Sequence, residues 1–77
     1  MTDLIRLHET ASKLVWNIEK CRKLQKIAFD SIIFAARNKF LAAEKDASEK
    51  LALYKKCEER FKQRYVNILK QINNTEL

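Results

Sequence analysis

The chain contains neither glycine nor proline in 77 residues, where average usage of about 7% and 5% would supply about nine of them. Glycine gives access to positive φ in tight turns, bulges and phosphate-cradling loops, while proline punctuates loops and edge strands. Their absence speaks against a sandwich, a barrel, a dinucleotide-binding βαβ unit or a P-loop. Histidine occurs once, at His8, and cysteine twice, at Cys21 and Cys57. One histidine with two distant cysteines has no metal-ligand spacing, so no metal or cofactor is expected. The longest apolar run, Ile32 to Ala36, falls far short of the roughly 20 residues of a membrane span. No hydrophobic leader precedes Asp3, which makes a cytoplasmic chain with reduced thiols the expectation.

What is present points to helix. Hydrophobic residues make up 47% and charged residues 34%, biased toward Ala, Leu, Lys, Glu, Arg and Ile. A domain of this size buries only about 60% of its unfolded surface, and a rod or hairpin buries less, so self-association or a partner is the default. Sixteen Lys and Arg oppose ten Asp and Glu, a net charge of +6. The basic residues gather at Lys20, Arg22, Lys23, Lys26 and at Lys55, Lys56, Arg60, Lys62, Arg64. Acidic residues interleave with both groups, which reads first as solvated helix face.

At 100° per residue an apolar stripe runs through Leu4, Leu7, Ala11, Leu14, Val15, Ile18, Cys21, Phe29, Ile32, Ile33, Ala36, Phe40 and Ala43. Its first part, Leu4 to Cys21, keeps the three-four spacing of a coiled-coil seam. Gln25 then takes the next core angle, a position where an amide either fixes register or reaches water at the periphery. The same arc continues as Ala47, Leu51, Tyr54, Cys57, Phe61, Tyr65, Ile68 and Ile72. Phase continuity alone favours one helix of about 70 residues, about 105 Å long. A chain that folds back needs a break, and the polar stretch from Glu44 to Lys50 offers one, with Asp46 and Glu49 spaced as a capping box. A second candidate is Arg37-Asn38-Lys39, near the midpoint, which would set Cys21 opposite Cys57 but crowd the tip with Phe34, Phe40 and Leu41. The first is preferred. The expected fold is all-α, one domain over 1–77. It is a helical hairpin with antiparallel coiled-coil packing, helices over about 3–44 and 47–74, a break at about 44–48 and a frayed tail at 75–77. A single long oligomerising helix and a three-helix bundle bent near Gln25 are the alternatives.

Opposite the stripe runs a thin second ridge of Ile5, Trp16, Ile27, Phe34 and Leu41, at spacings of 11, 11, 7 and 7 residues that return to nearly the same helical angle. Outward Trp and Phe are the type of anchor found at interface hot spots. With unequal arms, the Leu4, Leu7 and Leu14 part of the main stripe also stays uncovered. Both surfaces are expected to bind a partner. Catalysis needs a concave site with convergent, desolvated groups, and nothing in this pattern builds one. The expectation is a non-enzymatic helical subunit, adaptor or chaperone that packs against another protein or a copy of itself, with no small-molecule substrate. Its alternative is a basic helical protein that uses Lys55, Lys56, Arg60, Lys62 and Arg64 on nucleic acid or an anionic membrane. Thr75-Glu76-Leu77 fits a terminal carboxylate-capture pattern and Asn73-Asn74-Thr75 a glycosylation acceptor; both are read as tail.

Overall fold

The structure, a computed structural model, describes residues 2–76 and the side chains of residues 3–75. It contains two helices, α1 (Thr2–Arg37) and α2 (Leu41–Glu76), packed against each other as a hairpin. The molecule measures 57 × 14 × 12 Å between Cα extremes, which excludes the rod of about 105 Å. Its radius of gyration is 17.3 Å, against about 11.5 Å for a compact chain of this length.

The chain turns at Asn38–Phe40, and not at 44–48. Lys39 takes the left-handed conformation with φ 59°. The Phe40 amide donates to the Ala35 carbonyl at 2.8 Å and the Lys39 amide to the Ala36 carbonyl at 3.3 Å, which is the hydrogen-bond pair of a Schellman C-cap. That motif is usually closed by an apolar contact across the turn. Here Phe34 and Phe40 supply it, with ring centroids 6.4 Å apart. Asn38 adds a side-chain bond from Nδ2 to the Phe34 carbonyl at 2.8 Å. The aromatic residues that argued against this turn are therefore what closes it, and lysine stands where glycine would cost nothing. No cap forms at Asp46. It sits inside α2, paired with Lys50 at 3.1 Å one turn on, and neighbouring Ala47 is buried in the hairpin.

A turn centred on Lys39 makes equal arms and brings positions equally distant from it face to face. Cys21 and Cys57 are both 18 residues away (39 minus 21, 57 minus 39). Buried and half-buried positions run without a fault through Leu4, Leu7, Ala11, Leu14, Ile18, Cys21, Gln25, Ala28, Ile32 and Ala35 on α1. On α2 they run through Glu44, Ala47, Leu51, Tyr54, Glu58, Phe61, Tyr65, Ile68 and Ile72. This is a strict seven-residue repeat along each arm. A straight-helix projection drifts about 20° per heptad from such a repeat. By the end of α1 the error reaches about 90°: the projection kept Ile32 but took Phe29, Ile33 and Ala36 in place of Ala28 and Ala35, which are buried. Phe29 and Ile33 are exposed.

Two further expectations change with the turn. Equal arms leave no surplus stripe: Leu14 is buried and Leu4 and Leu7 are half-covered within the hairpin, so these three leucines are seam residues and not a free docking surface. The helix also continues through Thr75, whose hydroxyl donates to the Gln71 carbonyl at 2.8 Å. Only Leu77 of the expected frayed tail, and with it the terminal motif, lies outside the described residues.

Candidate protein-docking face

The seam is unevenly built. Toward the open end it is filled by Leu14, Ile18, Phe61, Tyr65, Ile68 and Ile72, while three of its positions near the turn are Ala28, Ala35 and Ala47. Alanine fills little volume, so the side chains that flank it stand proud and the alanines form the floor of a depression. Two grooves lie side by side there. One is lined by Leu24, Ile27, Ala28 and Ser31 of α1 with Ala43, Asp46, Ala47, Lys50 and Tyr54 of α2. The other is lined by Ile27, Asp30, Ser31, Phe34, Ala35, Phe40 and Ala43. Ile27 and Phe34 border this surface, one heptad apart on α1, and are 62% and 64% exposed; Phe40 at the turn is 54% exposed. Ser31 donates its hydroxyl to the Ile27 carbonyl at 2.9 Å, and the charged groups of the groove walls are Asp30, Asp46 and Lys50.

The second ridge does not survive as one line. In the supercoiled frame, each 11-residue step shifts position by about 50° around the helix, while a 7-residue step does not. Ile27 and Phe34 therefore stay together beside the grooves. Trp16 lies on the outer back of α1, exposed, with Lys20 Nζ 5.2 Å from its ring centroid. Ile5 is exposed near the open end, and Leu41 is the exposed first residue of α2. Phe40, Leu24 and Ala43 join the face although the ridge did not contain them. The signal that finds them is the strict heptad through Gln25 and Ala28.

The expected basic face is likewise divided. Lys62 binds Glu58 Oε2 at 2.8 Å and Glu59 at 3.9 Å. Arg60 and Arg64 line a shallow depression with Cys57 and Phe61. Lys55 and Lys56 lie on the exposed surface of α2; Lys56 stands one turn before Arg60 on the same face, while Lys55 falls on the opposite flank, one heptad before Lys62.

At mid-height Gln25 holds its seam position by pairing with Glu58. Gln25 Nε2 donates to Glu58 Oε1 at 3.3 Å and Arg22 Nε to the same oxygen at 3.2 Å. Glu58 is only 13% exposed. The Lys62 bond, reinforced by Lys62's charge and by bonds from Arg22 and Gln25, holds its carboxyl below the ordinary range against partial burial. A half-buried polar pair at seam positions favours one register, since a slip by one position would strand the carboxylate beside apolar groups. Beside it, burial pushes the Cys21 thiol up, helped by Cys57 and Glu58, so Cys21 stays a protonated, weakly reactive core residue. Both cysteines are free thiols. No helix is long and apolar enough to cross a membrane among the described residues.

Comparison of the chain with protein-family models, curated proteins and solved structures found no match.

Proposed function

We propose that the protein is a non-enzymatic interaction module, a small subunit, adaptor or chaperone whose turn half docks onto an apolar helix face of a protein partner. The observation that carries this is the exposed Ile27, Phe34 and Phe40 cluster beside an alanine-floored groove. Helix-in-groove recognition uses anchors at heptad-type spacing on one side and a trough on the other, and this surface supplies both. Burial of such anchors contributes about 25 cal/mol per Å² before the costs of association. The reading places the module in a reducing compartment such as the cytoplasm, supported by its two free thiols.

The test is a photoreactive residue at position 27, compared with one at exposed Gln63, in the cells that make the protein. Crosslinked protein partners are expected from position 27, lost on Phe34→Lys and absent from position 63. Equal crosslinking from both positions, unaffected by Phe34→Lys, overturns the proposal.

A further inference from the structure

Resting on that docking face, we infer that its occupant is an acidic amphipathic helix of a protein partner, laid along the hairpin with apolar residues in the alanine-floored grooves and carboxylates over Lys13, Lys20, Arg60 and Arg64. The register, the charge and the shape of the hairpin agree on it.

Residues seven apart share a flank of a supercoiled helix. Phe34 and Ile27 border the grooves, and the same column of α1 continues at seven-residue steps as Lys20 and Lys13. On α2 the column of Ala43 and Lys50, which line the first groove, continues through Cys57 to Arg64, and that of Asp46 and Leu53 continues to Arg60. The apolar surface and the four cations are therefore one flank of the hairpin. Lys20, Arg60, Arg64 and Lys13 lie 19, 21, 25 and 26 residues from Lys39, so they fall within about 11 Å of length.

Charge is sorted between the two flanks at that height. Residues 13–20 and 58–65 contain three carboxylates, those of Glu19, Glu58 and Glu59. Lys62 takes up Glu58 and Glu59, and Arg22 also bonds Glu58, all on the opposite flank. Glu19 belongs to the column of Lys26 and Ile33 there. The groove flank carries exposed Lys13, Lys20, Arg60 and Arg64 and no acidic residue in this stretch. Among the described residues none of these cations makes an ion pair; Lys20 rests over the Trp16 ring, and Arg60 and Arg64 edge an open depression. Nearer the turn the groove walls hold Asp30 and the pair of Asp46 and Lys50, which neutralise each other at 3.1 Å. The demand for carboxylates is thus confined to the open-half end of the flank, and a partner that meets it also relieves the repulsion among the four cations.

Shape selects a helix. Two helices side by side leave a trough that a third fills by ridge-into-groove packing at an axis separation of about 8–10 Å. A flat anionic bilayer would bridge over the alanine floor, and nucleic acid has no use for the apolar walls. From Phe34, 5 residues from Lys39, to Lys13, 26 residues away, the flank runs about 32 Å. That is the length of a helix of about 21 residues, with about three turns of apolar anchors and about two of acidic residues.

Fluorescence anisotropy tests this with two labelled, amidated peptides of that length. They share one half, with leucine and alanine at three-four spacing, and differ in the other, which carries glutamate or lysine on the same side. The wild-type chain is expected to bind the glutamate peptide about tenfold or more tighter than the lysine peptide. Arg60→Glu/Arg64→Glu should reverse that order. Lys45→Glu/Lys55→Glu, the same change in net charge on the opposite flank, should keep it, and Phe34→Lys should weaken both peptides. All of these side chains are exposed, so helical circular dichroism should stay unchanged. No binding of the glutamate peptide, no preference for it over lysine, or a preference lost equally in both double variants overturns the inference. Tighter binding to duplex DNA, or to vesicles of equal parts phosphatidylserine and phosphatidylcholine, does the same. If position 27 still crosslinks a protein while the glutamate preference is absent, the acidic partner fails and the docking module stands. If neither is seen, both fail.

Discussion

The two halves of this hairpin share one heptad repeat and use it differently. In the open half the seam carries Leu14, Ile18, Phe61, Tyr65, Ile68 and Ile72. In the turn half Ala28, Ala35 and Ala47 take three seam positions beside Ile32, Leu51 and Tyr54, and Ile27, Phe29, Phe34, Phe40, Leu41 and Leu53 are each more than half exposed. Among the described residues the open half exposes only Ile5 and Trp16 to this degree, at 60% each, so most of the exposed large apolar side chains gather in the turn half. A two-helix protein has a fixed supply of large apolar residues, so the half that holds itself together with small ones has large ones left to offer a partner. The Gln25–Glu58 pair lies between the halves and keeps their register common.

The sharpest way to break this contrast is to truncate one large apolar residue in each half and compare melting in denaturant at low protein concentration. Leu14→Ala removes a residue that is 6% exposed and should cost about 2–4 kcal/mol, enough to unfold much of a small two-helix chain. Phe34→Ala, 64% exposed, should cost under about 1 kcal/mol, the loss being confined to its turn contact with Phe40. Equal costs would mean that the turn half is core and not docking surface.

A smaller effect is expected at the boundary. Glu58 has its carboxyl pKa held below the ordinary value of 4.5 in the folded chain. A depressed folded pKa means that its stabilisation is present above about pH 5 and is lost as pH falls through the lower folded value. Because Arg22 and Lys62 are 61% and 41% exposed, the contribution is about 1 kcal/mol or less. Thermal melts from pH 6 to pH 2 should show a steeper acid loss for the wild type than for Glu58→Gln. Identical slopes would remove Glu58 as the link between the halves.

The smallest effect is at the tip and has the opposite sign. Lys39→Gly relieves a left-handed non-glycine residue and should stabilise the hairpin by about 0.5–1 kcal/mol, visible as a raised melting temperature with association unchanged. A lower melting temperature would show that the Lys39 side chain contributes more than its backbone costs.

Much of this architecture is legible in the residues themselves. The seam from Leu4 to Cys21 and the helical character of both arms follow from composition and three-four spacing. The midpoint turn and its pairing of Cys21 with Cys57 are also readable, although Phe34 and Phe40 look there like a liability. Their pairing across a Schellman turn is a tertiary contact, and a helical projection counts it as exposed surface. The docking face was only half legible: Ile27 and Phe34 stand out as outward anchors, but Ile5, Trp16 and Leu41 fall on other surfaces once the helix supercoils.

The sequence by itself determined that this chain is helical, that it cannot cover its apolar residues alone, and that Gln25 interrupts the seam. Helix propensity, period and the lack of turn-forming residues are local properties, and local properties are written along the chain. The site of the turn, the register and the grouping of Ile27, Phe34 and Phe40 above an alanine floor were decided only by the packing of one arm on the other. Packing selected the turn that left no stripe uncovered, and it bent the period from 3.6 to 3.5 residues, moving each late α1 residue to a face that no single helix could define.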